Sequence, residues 1–175
     1  MVKQSPLKYT IIDTHIGKIS ILGSEQGLKE GSIHKSRQAA LKRISQRFSD
    51  TIESSDGFGD LPQRLERYAG GERSSFNCKL DFGNSTPFQR AVWEATRSVP
   101  YGETRSYEWI AQRIGKPGAA RAVGQALKCN PLPIVVPCHR VIGKDGSLTG
   151  FSCGLELKKR LLDMEASSPS KNRAH

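Results

Sequence analysis

The sequence predicts a mixed α/β protein: a small amino-terminal α/β unit of strands packed with helices, followed by a mainly helical carboxy-terminal unit with a winged-helix-like helix-turn-helix. Three observations carry this. Two β-rich runs, "YTIIDT" and "KISILGS", flank a turn at His15–Gly17 and predict a hairpin. Thr86-Pro87-Phe88-Gln89, just after "DFGNS", is a helix start: Thr86 as the cap, Pro87 in the first position, Gln89 three residues on. Two short helical patterns then lie either side of Gly115-Lys116-Pro117-Gly118. The units are expected at residues 1–85 and 86–168, with a polar, disordered tail at 169–175.

Each element has its own justification. "GSIHKSRQAALKRISQRFSD" is helical in its middle, where Ala39, Ala40, Leu41, Ile44 and Phe48 fall near helical spacing. Residues 49–60 are polar and contain glycines, so a loop is expected. "LPQRLERYAGG" is a short helix closed by Gly70 and Gly71. After Thr86, the positions Phe88, Val92, Ala95 and Val99 form a core stripe that ends before Pro100-Tyr101-Gly102. "SYEWIAQRIG" repeats that logic with Tyr107, Ile110, Ala111 and Ile114, and "AARAVGQALKCN" is a second helix rich in small residues. The pair fits either a DNA-binding helix-turn-helix or an ordinary helical hairpin. Prolines 131, 133 and 137 predict a stiff, extended passage through "PLPIVVPCHRVIG". A turn at Lys144-Asp145-Gly146, a loop, and a last amphipathic helix, "LELKKRLLDMEA", complete the chain.

Composition narrows the function classes. The chain has 175 residues, 36% hydrophobic and 25% charged, which is ordinary for a globular protein. No run of about 18 apolar residues exists, and the amino terminus has no secretory signal, so a cytoplasmic or nuclear protein without membrane contact is expected. The four cysteines form no CxxC pair and the four histidines are scattered, which gives no support for a metal site and favours reduced thiols. The net charge of +10 is uneven: residues 86–175 carry +7 and residues 1–85 only +3. That excess points to a polyanionic partner for the second unit.

Cys138 sits in "PCHRV", between Pro137 and His139-Arg140. A thiol attacks as thiolate, and an unperturbed cysteine with a pKa of about 8.5 is only a few per cent ionised at neutral pH. Activation requires a base or a positive field, yet neighbouring side chains on an extended segment point to opposite sides. Proton transfer from Cys138 to His139 therefore needs a backbone turn or a bridging water. Glu165 in the last helix is a candidate to orient the imidazole if the fold returns it there. On the residues alone, a nucleophile and a buried inert thiol both stand.

"NPLPIVVPCHRVIG", preceded by "GETRSYEWIAQRIGKPGAARAVGQALKCN", resembles the O6-alkylguanine-DNA alkyltransferase family, the methylated-DNA–protein-cysteine methyltransferases. The likeness is strong from about Thr86 to Glu165 and faint before it. It implies direct repair of double-stranded DNA: the helix-turn-helix enters the minor groove, O6-alkylguanine is flipped out, and the alkyl group passes irreversibly and once to Cys138. O4-alkylthymine is a secondary substrate by the same likeness. His139 would act as base through a water, Glu165 would hold the imidazole, and Tyr107 would protonate or hydrogen-bond guanine N3. Asn130 would brace the turn before the active-site segment, and Arg121 would fill the space that the base vacates. A helix surfaced with Ala120, Ala122, Val123, Gly124 and Ala126 suits a narrow groove, and Lys128 would be a further DNA-binding position. The carbonyls of Cys138 and Val141 would read the guanine amino group, the Ser152 amide would contact O6, and Lys158 would lie near the pocket. No cofactor or metal is implied, and a monomer is expected.

Two positions depart from the pattern. Phe151 stands where tyrosine is frequent, so it can stack on guanine but offers no hydroxyl. Cys153 stands at the pocket entrance where glycine is common, and it would crowd large O6 substituents. A lesion-binding protein without transfer, a helix-turn-helix regulator and a cysteine hydrolase are the competing readings. The presence of Cys138 argues against the first, and the chain length against the second.

Overall fold

The computed structural model describes residues 5–168. The tail expected at 169–175 lies outside them. Strands β1 (Leu7–Thr14), β2 (Gly17–Ser24) and β3 (Gly27–His34) form an antiparallel meander, and the short β4 (Thr51–Glu53) runs parallel to β1, giving the order β3-β2-β1-β4. The expected hairpin is β1–β2, closed by the Thr14↔Gly17 pair with Gly17 at φ 130. In β2, alternation sends Ile19 and Ile21 into the main core. It turns Ser20 and Leu22 to the other side, where α1 (Arg37–Arg47) packs and Glu30 pairs with Arg43 and Arg47.

One expectation holds and one changes here. The stretch "GSIHKSRQAALKRISQRFSD" is helical in its middle as expected: residues 31–34 complete β3, and α1 begins after the Ser36 cap, whose side chain accepts from the Ala39 amide. β3 follows an irregularity at Leu22/Gly23 and carries glycines, so its local pattern is weak and pairing with β2 defines it. The loop expected at 49–60 contains β4, a three-residue edge strand made by the Leu7↔Thr51 to Tyr9↔Glu53 register. Such a strand exists only through its partner.

Helix α2 (Leu61–Ala69) packs on β1, buries Leu61, Leu65 and Tyr68, and ends at Gly70. Residues 79–81 then hydrogen-bond along β3 at Leu28 and lead to α3 (Pro87–Arg97). The Thr86/Gln89 capping box is complete, and Val92, Ala95 and Val99 are buried as their spacing predicts. Helices α4 (Tyr107–Arg113) and α5 (Ala120–Lys128) both contact α3 and each other. Gly115 and Gly118, at φ 72 and 84, make the turn between them, a backbone that L side chains rarely adopt. Helix α6 (Leu155–Ser167) closes the molecule against the segment that holds Cys138.

That segment is not the straight, extended passage its prolines suggest. The Val136 amide donates to the Leu132 carbonyl at 2.8 Å, and Ile134 takes φ 76, unusual for a β-branched residue. Cys138–Arg140 then forms one 3-10 turn before a two-residue strand, Val141–Ile142, parallel to Arg105–Ser106. The edge of β3 anchors the passage, because the Gly31 amide donates to the Pro131 carbonyl at 2.8 Å.

Candidate active site

A 3-10 turn replaces the extended backbone that would send the adjacent Cys138 and His139 side chains to opposite sides. It lets consecutive side chains point to different neighbours within one buried pocket: Cys138, His139 and Arg140 are 5%, 0% and 6% exposed. Asn130, just past the end of α5, braces the segment from the inside. Its Oδ1 accepts from the Leu132 amide at 2.9 Å, while Nδ2 donates to the Val136 carbonyl at 3.0 Å and to Cys138 Sγ at 3.1 Å. Burial pushes the Cys138 thiol up to about 11, with Asn130 opposing the rise, neighbouring Cys153 adding to it and Lys158 opposing it. The resting group is therefore a thiol, already touched by an N–H donor suited to a thiolate.

Glu165, on α6 and 26 residues beyond His139, returns to it as the fold had to arrange. His139 Nε2 lies 2.6 Å from Glu165 Oε1. Arg140 donates to the same carboxylate from Nε to Oε2 and from Nη2 to Oε1, each at 2.9 Å, and the Gly102 amide donates to Oε2 at 3.0 Å. Burial alone would raise this carboxyl, but the hydrogen bonds from His139 and Arg140 overcome that and hold it at about 2. An ionised carboxylate only accepts, so the proton of neutral His139 is on Nε2. Nδ1 then carries the lone pair, and it is the one buried side-chain nitrogen or oxygen among the described residues with no protein partner. Burial also keeps the imidazole below its usual pKa, with Glu165 opposing, so it is neutral at pH 7.

Lys158 is fully buried on α6, and burial lowers its pKa. Its ammonium donates to the Val141 carbonyl at 2.7 Å and the Thr149 carbonyl at 2.9 Å, and sits 3.5 Å from Tyr107 Oη. Tyr107 Oη itself donates to Thr149 O at 2.7 Å. The two carbonyls expected to read a guanine amino group are thus each singly engaged, Val141 O by Lys158 and Cys138 O by the Val141 amide. A carbonyl has a second lone pair for a ligand. Phe151 is buried in the core, Cys153 is half-buried against it, and Ser152 is exposed beside them. All four cysteines are free thiols.

A cleft of about 370 Å³ adjoins this cluster at Tyr107 and Thr149 and is lined further by Ala120, Arg121, Gly124, Gln125, Lys128 and Gly150. Arg121, Ala122 and Lys128 are exposed on α5, and Gly124 packs on the Tyr107 ring. The expected small-residue surface needs a correction, because Val123 and Ala126 face inward, 0% and 4% exposed. An amphipathic helix buries one face, and these two take it together with Leu127. A larger cleft of about 690 Å³ shares Arg140 with the relay but includes none of the other site residues.

The sequence reading missed Arg140 and Tyr68. Arg140 adjoins His139, and a fully charged side chain in an apolar run is itself a signal of a buried pair. Tyr68, on α2, reaches Glu165 and His139 across 97 and 71 residues of sequence, and no local pattern announces that.

Comparison with known proteins decides the family. The model of the 6-O-methylguanine DNA methyltransferase DNA-binding domain matches residues 87–167, and that of the family's ribonuclease-like domain matches residues 7–98. The chain belongs to the 6-O-methylguanine DNA methyltransferase family. A methylated-DNA–protein-cysteine methyltransferase of Methanosarcina barkeri is 46% identical over 157 residues, covering 90% of this chain and 96% of its own. One of Mycolicibacterium paratuberculosis is 41% identical, covering 91% and 92%. The crystal structure of Mycobacterium tuberculosis OGT in complex with DNA superposes with a TM-score of 0.80 at 39% identity, covering 92% of this chain and 94% of that one. The faint likeness of the first 85 residues is thus a true one, since the ribonuclease-like match spans them from residue 7. Among the described residues, no helix is long and apolar enough to cross a membrane.

Proposed function

We infer that this alkyltransferase binds double-stranded DNA, extrudes an O6-alkylated guanine and transfers the alkyl group to Cys138, restoring guanine in a single turnover. The observation that carries the reading is the Asn130–Cys138 and His139–Glu165–Arg140 network, which supplies an N–H donor to sulfur and an unpaired imidazole nitrogen in one buried pocket. The Sγ proton passes through a bridging water to His139 Nδ1 as the S–C bond forms and the C–O6 bond breaks. The electron pair enters the purine, and Tyr107 Oη protonates N3. Lys158, 3.5 Å from that oxygen, offsets the phenolate charge until the imidazolium returns its proton through solvent. Sulfur is left as a thioether that nothing in the pocket can cleave, so each molecule acts once.

DNA contact is assigned to the exposed face of α5, with Arg121 entering the base stack, Ala120, Ala122 and Gly124 permitting close approach to the minor groove, and Lys128 on a phosphate. The reading keeps 1–85 as the supporting unit, 86–168 as the binding and acceptor unit, and a monomer in the cytoplasm. Intact-protein mass spectrometry after incubation with excess O6-methylguanine duplex tests it. One methyl group per protein, mapped to Cys138, is expected; tight binding with no mass change would leave a lesion-recognition protein, and continued product formation a hydrolase.

By the family likeness Cys153, half-buried beside Phe151 and Ser152, stands at the entrance to the pocket and narrows it. Cys153→Gly is expected to raise the rate with free O6-benzylguanine by about tenfold while leaving the methyl substrate unchanged, the usual scale for a steric change of this size. Equal benzyl rates in both proteins count against the steric role.

A further inference from the structure

Tyr68 comes from α2 in the amino-terminal unit, is 0% exposed, and its ring makes edge contacts with Phe76 and Tyr101 at 5.6 and 6.0 Å. Phenylalanine would fill that space equally well, so the hydroxyl needs its own account. It donates to Glu165 Oε1 at 2.6 Å and lies 3.1 Å from His139 Nε2. Oε1 is thereby shared among Tyr68, His139 and Arg140 Nη2.

We propose that Tyr68 is a positioning residue of the transfer reaction: its hydroxyl fixes Glu165 Oε1 against His139 and moderates how strongly that oxygen draws the imidazole proton, so the amino-terminal unit tunes the base. The inference rests on His139 acting as base. Burial, followed by the charge of Glu165, pushes the phenol well above its ordinary value, so it remains a donor throughout. Each hydrogen bond donated to Oε1 spreads its electron density, and the oxygen becomes a weaker acceptor for Nε2–H. The charged and titratable groups facing the imidazole are Glu165 and Lys158 from α6, Arg140 from its own turn, and Tyr68 from α2, with Tyr101 beside Tyr68. Arg140 and Lys158 disfavour the imidazolium, and Glu165 favours it. Releasing Oε1 from Tyr68 leaves more of it for His139 and makes the imidazolium easier to form.

The test is the single-turnover methyl-transfer rate of the full chain on an O6-methylguanine duplex across about pH 5 to 9, where a histidine base gives an acid limb. In Tyr68→Phe that limb is expected to move to higher pH. The rate at the acidic end should fall about three- to tenfold, with the alkaline plateau within about twofold and DNA affinity unchanged. Incorporating 3-fluorotyrosine at position 68 keeps the shape and strengthens the donor, so the limb should move to lower pH. Phe76→Leu perturbs the same packing without touching the hydroxyl, and it should lower Tm with the limb unmoved. An unmoved limb in Tyr68→Phe, a uniform loss at every pH, the same shift in Phe76→Leu, or an unmoved limb with fluorotyrosine each overturns the proposal. A wild-type profile with no acid limb refutes the base role of His139 instead, and is told apart because it needs no variant.

Discussion

Cys138→Ser is expected to bind O6-methylguanine duplex as tightly as the wild type and to acquire no methyl group, a loss of about 10⁴-fold or more in rate by comparison with nucleophile removal in other enzymes. The side chains are nearly the same size, so the pocket closed by Asn130, Val136 and Val141 keeps its packing and the fold should hold. What changes is the chemistry. Sulfur at a pKa of about 11 is a thiolate in about one molecule in 10⁴ at pH 7, roughly 5 kcal/mol uphill. In the proposed mechanism that cost is offset at the moment of reaction by the Asn130 N–H, already 3.1 Å from the sulfur, and by the partnerless His139 Nδ1 reached through water. An alcohol is a far poorer acid and nucleophile, and the same two groups cannot close the gap. A serine variant that still gained a methyl group would move the acceptor elsewhere, with Cys153 the first residue to map.

Local rules read well where the signal was local. The Thr86 capping box, the α3 stripe and the glycine turn between α4 and α5 rest on residues three to four apart, and the structure reproduces them. They failed where pairing or long-range contact decides. β4 exists only as a partner of β1, and β3 is held by β2 on one side and by residues 79–81 on the other. The prolines predict a stiff, extended passage because each fixes only its own φ and biases the residue before it. The bend comes from Ile134 at φ 76, held by the Leu132–Val136 hydrogen bond and by Asn130.

The site divides the same way. The family motif named Cys138, His139, Asn130 and Glu165, and the fold brings those four together. Arg140 and Tyr68 complete the ring around the carboxylate: the Arg140 charge in an apolar run signals a buried pair but not its partner 25 residues on, and nothing near Tyr68 announces a partner 97 residues away. In consequence the relay spans both units: Tyr68 reaches it from α2, and β3 fixes its approach through Gly31 and Pro131. The amino-terminal unit thus supplies a side chain to the buried network around Glu165.

That ring makes Glu165→Gln the second large effect, on stability as well as rate. The carboxylate accepts from His139, Tyr68, Arg140 and Gly102, and an amide can match only some of them. Arg140, 6% exposed, would keep its charge while losing its counter-ion, its remaining contacts being the Val99 carbonyl at 2.8 Å and the Tyr101 ring at 5.5 Å. Breaking a buried pair from one side costs about 3–5 kcal/mol. The proton linkage agrees: a carboxyl at about 2 in the fold and 4.5 when free contributes about 3 kcal/mol. Its folded value is depressed, so the stability is present above pH 4.5 and lost as pH falls toward 2. His139 acts in the same direction one step earlier, since its folded value lies below 6.5 and the unfolded chain takes its proton first. Denaturant unfolding of Glu165→Gln at pH 7 should therefore show a loss of about 3–5 kcal/mol, and the difference from wild type should shrink as pH is lowered below 4.5. The rate falls too, by about 10² to 10⁴, because an amide nitrogen facing Nε2 favours the tautomer whose proton sits on Nδ1, where the base is needed. A variant within about 1 kcal/mol of wild type at pH 7 would show that Arg140 finds another partner, and the carboxylate would then be a catalytic group without being the keystone of the pocket.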